Sequence, residues 1–86
     1  MEKLENMKVY VDVIARFSKD GQMLPVSFIW EDDHRYEIDR IIKCERAASR
    51  KAGGAGLRYT CMVEGRQCNI FYEENCRWFL ERRRAS

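Results

Sequence analysis

Val9-Tyr10-Val11-Asp12-Val13-Ile14-Ala15-Arg16-Phe17-Ser18-Lys19-Asp20-Gly21-Gln22-Met23-Leu24-Pro25-Val26-Ser27-Phe28-Ile29-Trp30 is the stretch that decides the fold. Val9, Val11, Val13, Ala15 and Phe17 recur at every second position, and Leu24, Val26, Phe28 and Trp30 do the same. A period of two marks strands with one face on a core. Ser18-Lys19-Asp20-Gly21 joins them as a four-residue turn, with glycine where a positive φ is needed. Pairing Phe17 with Gln22 keeps both apolar sets on one face, because a slip of one residue turns one set outward. Pro25 has no N–H for a ladder, so the second strand borders the sheet or bulges there.

The same period continues outward from this hairpin. Leu57, Tyr59, Cys61 and Val63 predict a fourth strand, Cys68, Ile70 and Tyr72 a fifth, and Cys76, Trp78 and Leu80 a sixth. Glu64-Gly65 or Gly65-Arg66 suits a two-residue loop, and Glu73-Glu74-Asn75 a three-residue loop in which asparagine takes the left-handed conformation. The third run, Tyr36, Ile38, Ile42 and Cys44, follows the acidic turn Glu31-Asp32-Asp33-His34. It reads as a strand over about 35–45 followed by a short helix at 47–52. Its alternative is a helix capped by Asp39, with Ile41, Cys44, Ala48 and Ala52 on one side, ending before Gly53. The predicted fold is mainly β, a six-stranded antiparallel meander rolled into a small barrel or strongly bent sheet.

Eighty-six residues predict a single domain over 1–86, with its core at about 8–81 and termini that fray. The opening residues are charged and lack the apolar run of a signal peptide, and no segment reaches the length of a membrane span. A cytoplasmic protein with no membrane association is expected. Cys44, Cys61, Cys68 and Cys76 form no CxxC pair. They read as reduced thiols on the inward face, with Cys61 and Cys68 opposite or diagonal across their hairpin, and no metal or other cofactor is expected. His34 is the only histidine and lies in a polar turn, so no catalytic triad can be assembled and the protein is expected not to be an enzyme.

Charge is unevenly placed. Residues 1–45 carry a net −3 and residues 46–86 a net +5. Within the second part, 46–58 combines Arg46, Arg50, Lys51 and Arg58 with Gly53, Gly54 and Gly56 and contains no acid. Successive glycines let backbone N–H groups converge on an oxyanion, and arginines surround it with paired donors. The spacing is not that of a nucleotide-binding P-loop. Phe71 and Phe79 have the outward parity, near Arg58 and Arg77, and rings interleaved with arginine make a stacking platform for single-stranded nucleic acid. The same rings, or an exposed strand, would also serve a protein partner or a second copy.

Arg46-x-x-x-Arg50 resembles the arginine pair of PilZ domains, which bind cyclic dinucleotides, but no [DN]-x-S-x-x-G follows it. Tyr10 to Leu80 more broadly resembles a group of small bacterial proteins with a single β-rich domain and no established activity. The residues that carry this are Val11-Asp12-Val13-Ile14-Ala15-Arg16-Phe17, Ile29-Trp30-Glu31-Asp32, Tyr36-Glu37-Ile38-Asp39-Arg40, Arg46-Ala47-Ala48-Ser49, Lys51-Ala52-Gly53-Gly54, Gly56-Leu57-Arg58-Tyr59-Thr60 and Phe71-Tyr72-Glu73-Glu74. That resemblance implies a cytoplasmic single-domain protein and transfers no functional residue. The expected function is a non-catalytic nucleic-acid-binding module using Arg46, Arg50, Lys51, Gly53, Gly54, Arg58, Phe71 and Phe79. The alternative is a protein-interaction or homodimeric adaptor module.

Overall fold

The structure is a computed structural model that describes the backbone of residues 6–49 and 54–83 and the side chains of 8–46 and 56–82. Seven strands form: β1 (Asn6–Phe17), β2 (Met23–Ile29), β3 (Arg35–Glu37), β4 (Arg40–Ser49), β5 (Gly54–Val63), β6 (Arg66–Glu73) and β7 (Arg77–Arg83). All pair antiparallel in one sheet of order β3-β2-β1-β7-β6-β5-β4, bent into a half-barrel. Among the described residues there is no helix long and apolar enough to cross a membrane.

The seventh strand comes from a break in the expected third one. Ile38 N–H donates to the Val26 carbonyl at 2.9 Å, and the next N–H, Asp39, donates to the Met62 carbonyl at 2.8 Å. The chain thus leaves β2 and joins β5 within one peptide, which brings the two ends of the sheet together. Residue parity explains the break. Tyr36 faces Phe28, Ile38 packs on the core and Ile41 faces Cys61, and the odd spacing from 38 to 41 cannot be met by one regular strand. A bulge follows, in which Ile41 and Lys43 pair with Cys61 and Thr60, leaving Ile42 as the extra residue. The inward residue is therefore Ile41 rather than Ile42, which is 43% exposed. Ala47–Ser49, expected to open a short helix at 47–52, continue β4, pairing with Gly56, Ala55 and Gly54. Alanine, serine and glycine can follow the partner strand without a steric conflict. The rest of the expected helix lies outside the described residues.

The first hairpin departs from its expected register in two steps that cancel. Phe17 pairs with Met23 rather than Gln22, because Ser18 N–H bonds the Gln22 carbonyl and lengthens the turn by one residue. That shift alone would have opposed the two apolar faces. A bulge then restores them: Ala15 pairs with Pro25 but Ile14 with Ser27, so Val26 is extra and Val13 meets Phe28. Pro25 sits at this bulge, where its missing N–H interrupts no ladder. Leu24 accordingly lies opposite Arg16 and not on the inward face.

The remaining turns follow their sequence chemistry. Glu64 and Gly65 have φ of 51° and 76°, the signature of the two-residue hairpin turn whose twist matches its strands. The last loop is Glu74-Asn75-Cys76, one residue later than expected, with Asn75 at φ 78° and Cys76 at φ 62°. Inside the half-barrel, Phe28, Tyr59, Cys61, Val63, Ile70, Trp78 and Leu80 make the buried core. Tyr59 Oη donates to the Met23 carbonyl at 2.5 Å, tying β5 to β2 across the concave side.

The bulge fixes a measurable contrast. Ile70→Ala, at a fully buried side chain, is expected to cost about 2–5 kcal/mol in urea unfolding. Ile42→Ala is expected to stay within about 0.5 kcal/mol of the parent protein. A comparable loss at both positions would mean that Ile42 faces the core.

Candidate nucleic-acid interface

Register across five strands builds one row on the outer, convex face. Glu45 on β4 pairs with Arg58 on β5, Arg58 with Phe71 on β6, Phe71 with Phe79 on β7, and Phe79 with Tyr10 on β1. Arg58, Phe71 and Phe79 of the predicted site are thereby brought together. Phe71 and Phe79 stack, with centroids 4.9 Å apart and planes 4° from parallel, while Tyr10 meets Phe79 edge-on at 5.7 Å. Tyr10 was not among the residues expected here, although its alternation with Val9 and Val11 places it outward.

This row satisfies itself. Lys8 Nζ lies 4.7 Å from the Phe79 ring centre and bonds Glu73 Oε2 at 2.9 Å. Tyr10 Oη donates to the other Glu73 oxygen at 2.9 Å, and the Arg77 guanidinium sits 4.2 Å from the Tyr10 ring centre. Phe79 has outward parity yet is only 5% exposed, because Lys8, Phe71 and Tyr10 cover it. It offers no open ring, whereas Phe71 is half-buried. Arg58 donates through Nε at 3.1 Å, and through its terminal nitrogen, to Glu45. That hydrogen-bonded guanidinium holds the Glu45 carboxyl below the usual range.

The basic segment is a β-hairpin rather than a loop. Ala47, Ala48 and Ser49 pair with Gly56, Ala55 and Gly54, and the β5–β6 ladder stops at Leu57 with Tyr72. Residues 47–49 and 54–56 therefore pair only with each other among the described residues and form a two-stranded ribbon beyond the sheet. Arg46 is exposed at its root, opposite Leu57, in the row that faces the concave side and away from Arg58. Gly54 is a strand residue, and Arg50, Lys51 and Gly53 lie outside the described residues.

Sequence reasoning missed a cleft of about 700 Å³ on the concave side. The β6–β7 ladder covers only Phe71–Glu73 with Arg77–Phe79. Beyond it, β7 follows β1 to Arg83 while the start of β6 stays with β5, so the two part. Phe28, Val63 and Leu80 are buried residues of the lining, Trp30 and Tyr36 enter from the β2–β3 hairpin, and Arg66, Gln67 and Cys68 from β6. Alternation of Phe28 with Trp30, set across a turn from Tyr36, was the available signal. The parting of β6 and β7 has none.

The cysteines divide by position. Cys61 and Cys68 are direct cross-strand partners, as expected, and burial pushes the Cys61 thiol up to about 12 and Cys68 upward. Cys44 keeps the inward parity, opposite Tyr59, although it is exposed, and Cys76 is exposed because it belongs to the last turn. Among the described residues no three His, Cys, Asp or Glu side chains converge as a metal site. His34 lies in the polar turn closed by Trp30 N–H to its carbonyl, with Nε2 3.8 Å from Glu64. Compared with known proteins, the chain matches no family model, no curated protein and no solved structure.

Glu73 gives a pH test. Hydrogen bonds from Lys8 and Tyr10 hold its carboxyl below the ordinary value of 4.5. A depressed carboxyl stabilises the fold above its unfolded-state value, and the contribution is lost as pH falls through its folded-state value. Glu73→Gln should therefore unfold at lower urea than the parent at pH 7, with the gap closing as the pH falls below 4.5. A gap independent of pH would remove the charged bond to Lys8 from the account.

Proposed function

We propose that this protein is a non-catalytic nucleic-acid-binding module whose β4–β5 ribbon contacts the phosphate backbone. The observation that carries the reading is the ribbon itself: a two-stranded projection of small residues, flanked by Arg46 and Arg58, whose connecting residues include Arg50 and Lys51. No acid within 46–58 opposes an anion. Arginine pairs bidentately with phosphate, and Gly53 and Gly54 permit close approach of backbone N–H groups. Arg58 would exchange Glu45 for a phosphate oxygen, and Phe71, half-buried, keeps some accessible surface in the outer row.

A second reading has its own observation. β4 pairs with β5 along one side, and among the described residues no strand pairs along its other side. A free edge of ten residues accepts another strand from a protein partner or a second copy. Ile42 at the bulge, with Arg40, Lys43 and Arg46, limits that pairing in the way edge strands commonly do. Sedimentation over a concentration series reads self-association directly.

The nucleic-acid reading is tested by fluorescence anisotropy of labelled single- and double-stranded DNA and RNA across a salt series. Reversing both charges, Arg50→Glu with Lys51→Glu, should weaken binding and lower the slope of log affinity against log salt by about 0.7–0.9 for each phosphate no longer neutralised, with circular dichroism unchanged. Unaltered affinity in that variant removes the ribbon from the site.

A further inference from the structure

The concave cleft is lined by three rings, Phe28, Trp30 and Tyr36. Tyr36 is stacked on Phe28 at 5.4 Å and lies 4.3 Å from the His34 ring, so it already has ring neighbours. Trp30 differs. It is half-buried in the cleft wall, and among the described residues its ring has no aromatic neighbour and its indole N–H no acceptor. Buried or half-buried tryptophans ordinarily satisfy that N–H, because they combine an apolar body with one polar handle. Trp30 packs against the core and also lines the cleft.

Polar groups bring a specific chemistry to the same space. Arg66 is exposed at the rim and makes no ion pair among the described residues. Glu64, the acid in the lining, is directed to His34 at 3.8 Å. A volume of about 700 Å³ takes a planar ring with the sugar attached to it.

From these observations we infer that the cleft receives an unstacked nucleobase of a single strand, with Trp30 as its stacking surface and Arg66 on the adjoining phosphate. This rests on the nucleic-acid reading above and narrows it to single strands, since a base within a duplex has no free face to offer. Position favours one continuous path. Arg46 and Arg66 both belong to rows that face the concave side, opposite Leu57 and Val63 of the same strand. Six residues of extended β5 separate those rows by about 20 Å. A strand that meets the ribbon at Arg46 therefore reaches the cleft along β5, within the span of about 4–16 nucleotides bound by small barrels of this size class.

The test compares a labelled oligothymidylate with an abasic oligomer of equal length, which carries the same phosphates and no bases. Wild-type protein is expected to prefer the oligothymidylate, and its tryptophan emission to be quenched by that oligomer alone, since Trp78 is buried and Trp30 is the ring within reach. Trp30→Ala should lose roughly 5- to 150-fold in affinity for oligothymidylate and none for the abasic oligomer, while Trp30→Phe keeps most of the preference. Arg66→Glu, at an exposed position at the start of β6, should lower affinity for both oligomers and reduce the salt slope. Equal binding of the two oligomers by wild-type protein, or binding without quenching, overturns the cleft assignment and leaves the ribbon reading standing. Absence of binding to either oligomer at low salt overturns both.

Discussion

One change of partner, between Ile38 and Asp39, is the constraint on which the rest of this structure depends. Two consecutive N–H groups bond carbonyls on the strands next to the two ends of the sheet, Val26 of β2 and Met62 of β5. Antiparallel meanders ordinarily leave two free edges. Here the chain itself carries one edge toward the other, and the sheet must curl to allow it. Curling gives the concave side, and the concave side lets Tyr59 of β5 reach the Met23 carbonyl of β2. Burial of that phenol pushes its ionisation upward, in keeping with a neutral hydroxyl that donates one bond inside the core. The cleft has the same origin, because β7 stays with β1 and β6 with β5 as the sheet closes.

The two faces of the half-barrel solve different problems. On the convex side, the rings of Phe71, Phe79 and Tyr10 form two pairs, each contributing about 0.5–1.5 kcal/mol beyond area burial. The cations over them add about 0.5–1 kcal/mol at such exposed positions. The Lys8–Glu73 ion pair, at the surface, contributes about 0–1 kcal/mol. The rings therefore dominate, and the charges mainly cover them. A row built this way stabilises the sheet, and Phe79 within it has no open face for a ligand. On the concave side, Trp30 has no ring neighbour and no acceptor among the described residues, which is the reverse condition.

The strands were legible because their apolar residues alternate over long runs. Val11, Val13 and Ala15, then Tyr59 and Cys61, then Ile70 and Trp78, all face the core as their parity requires. Where two apolar residues adjoin, parity gives no answer. Ile41 and Ile42 are such a pair, and only the bulge, a property of the ladder with β5, selects Ile41. Pro25 announced an irregularity in β2 but not that it would be offset by a longer turn, since the two shifts leave the face of Phe28 unchanged. The basic segment was legible as composition and not as shape. Its glycines and alanines read as a bend with a short helix, yet the described part is a ribbon whose small residues pair with one another. Phe79 shows the same limit for the site: alternation placed it outward correctly, but only the strands beside it reveal that Lys8 and Phe71 cover it.

Closure also redistributes the charge asymmetry that the sequence displays. Glu31 from the acidic half meets Arg82 from the basic half, and Glu45 meets Arg58. Lys8, from the acidic half, meets Glu73 in return. These pairings leave the net excess of basic residues unchanged but decide which cations stay available. Among the described residues Arg46 and Arg66 make no ion pair, and both lie in rows facing the concave side, one at the root of the ribbon and one at the rim of the cleft. Surface arginines without acidic neighbours are common, so neither alone argues for a ligand. Their placement on either side of β5, about 20 Å apart along it and on the side that also carries the Trp30 indole, is what an extended polyanion with aromatic bases would require. A protein partner adding a strand to β4 would use backbone groups at that edge and would need none of the three.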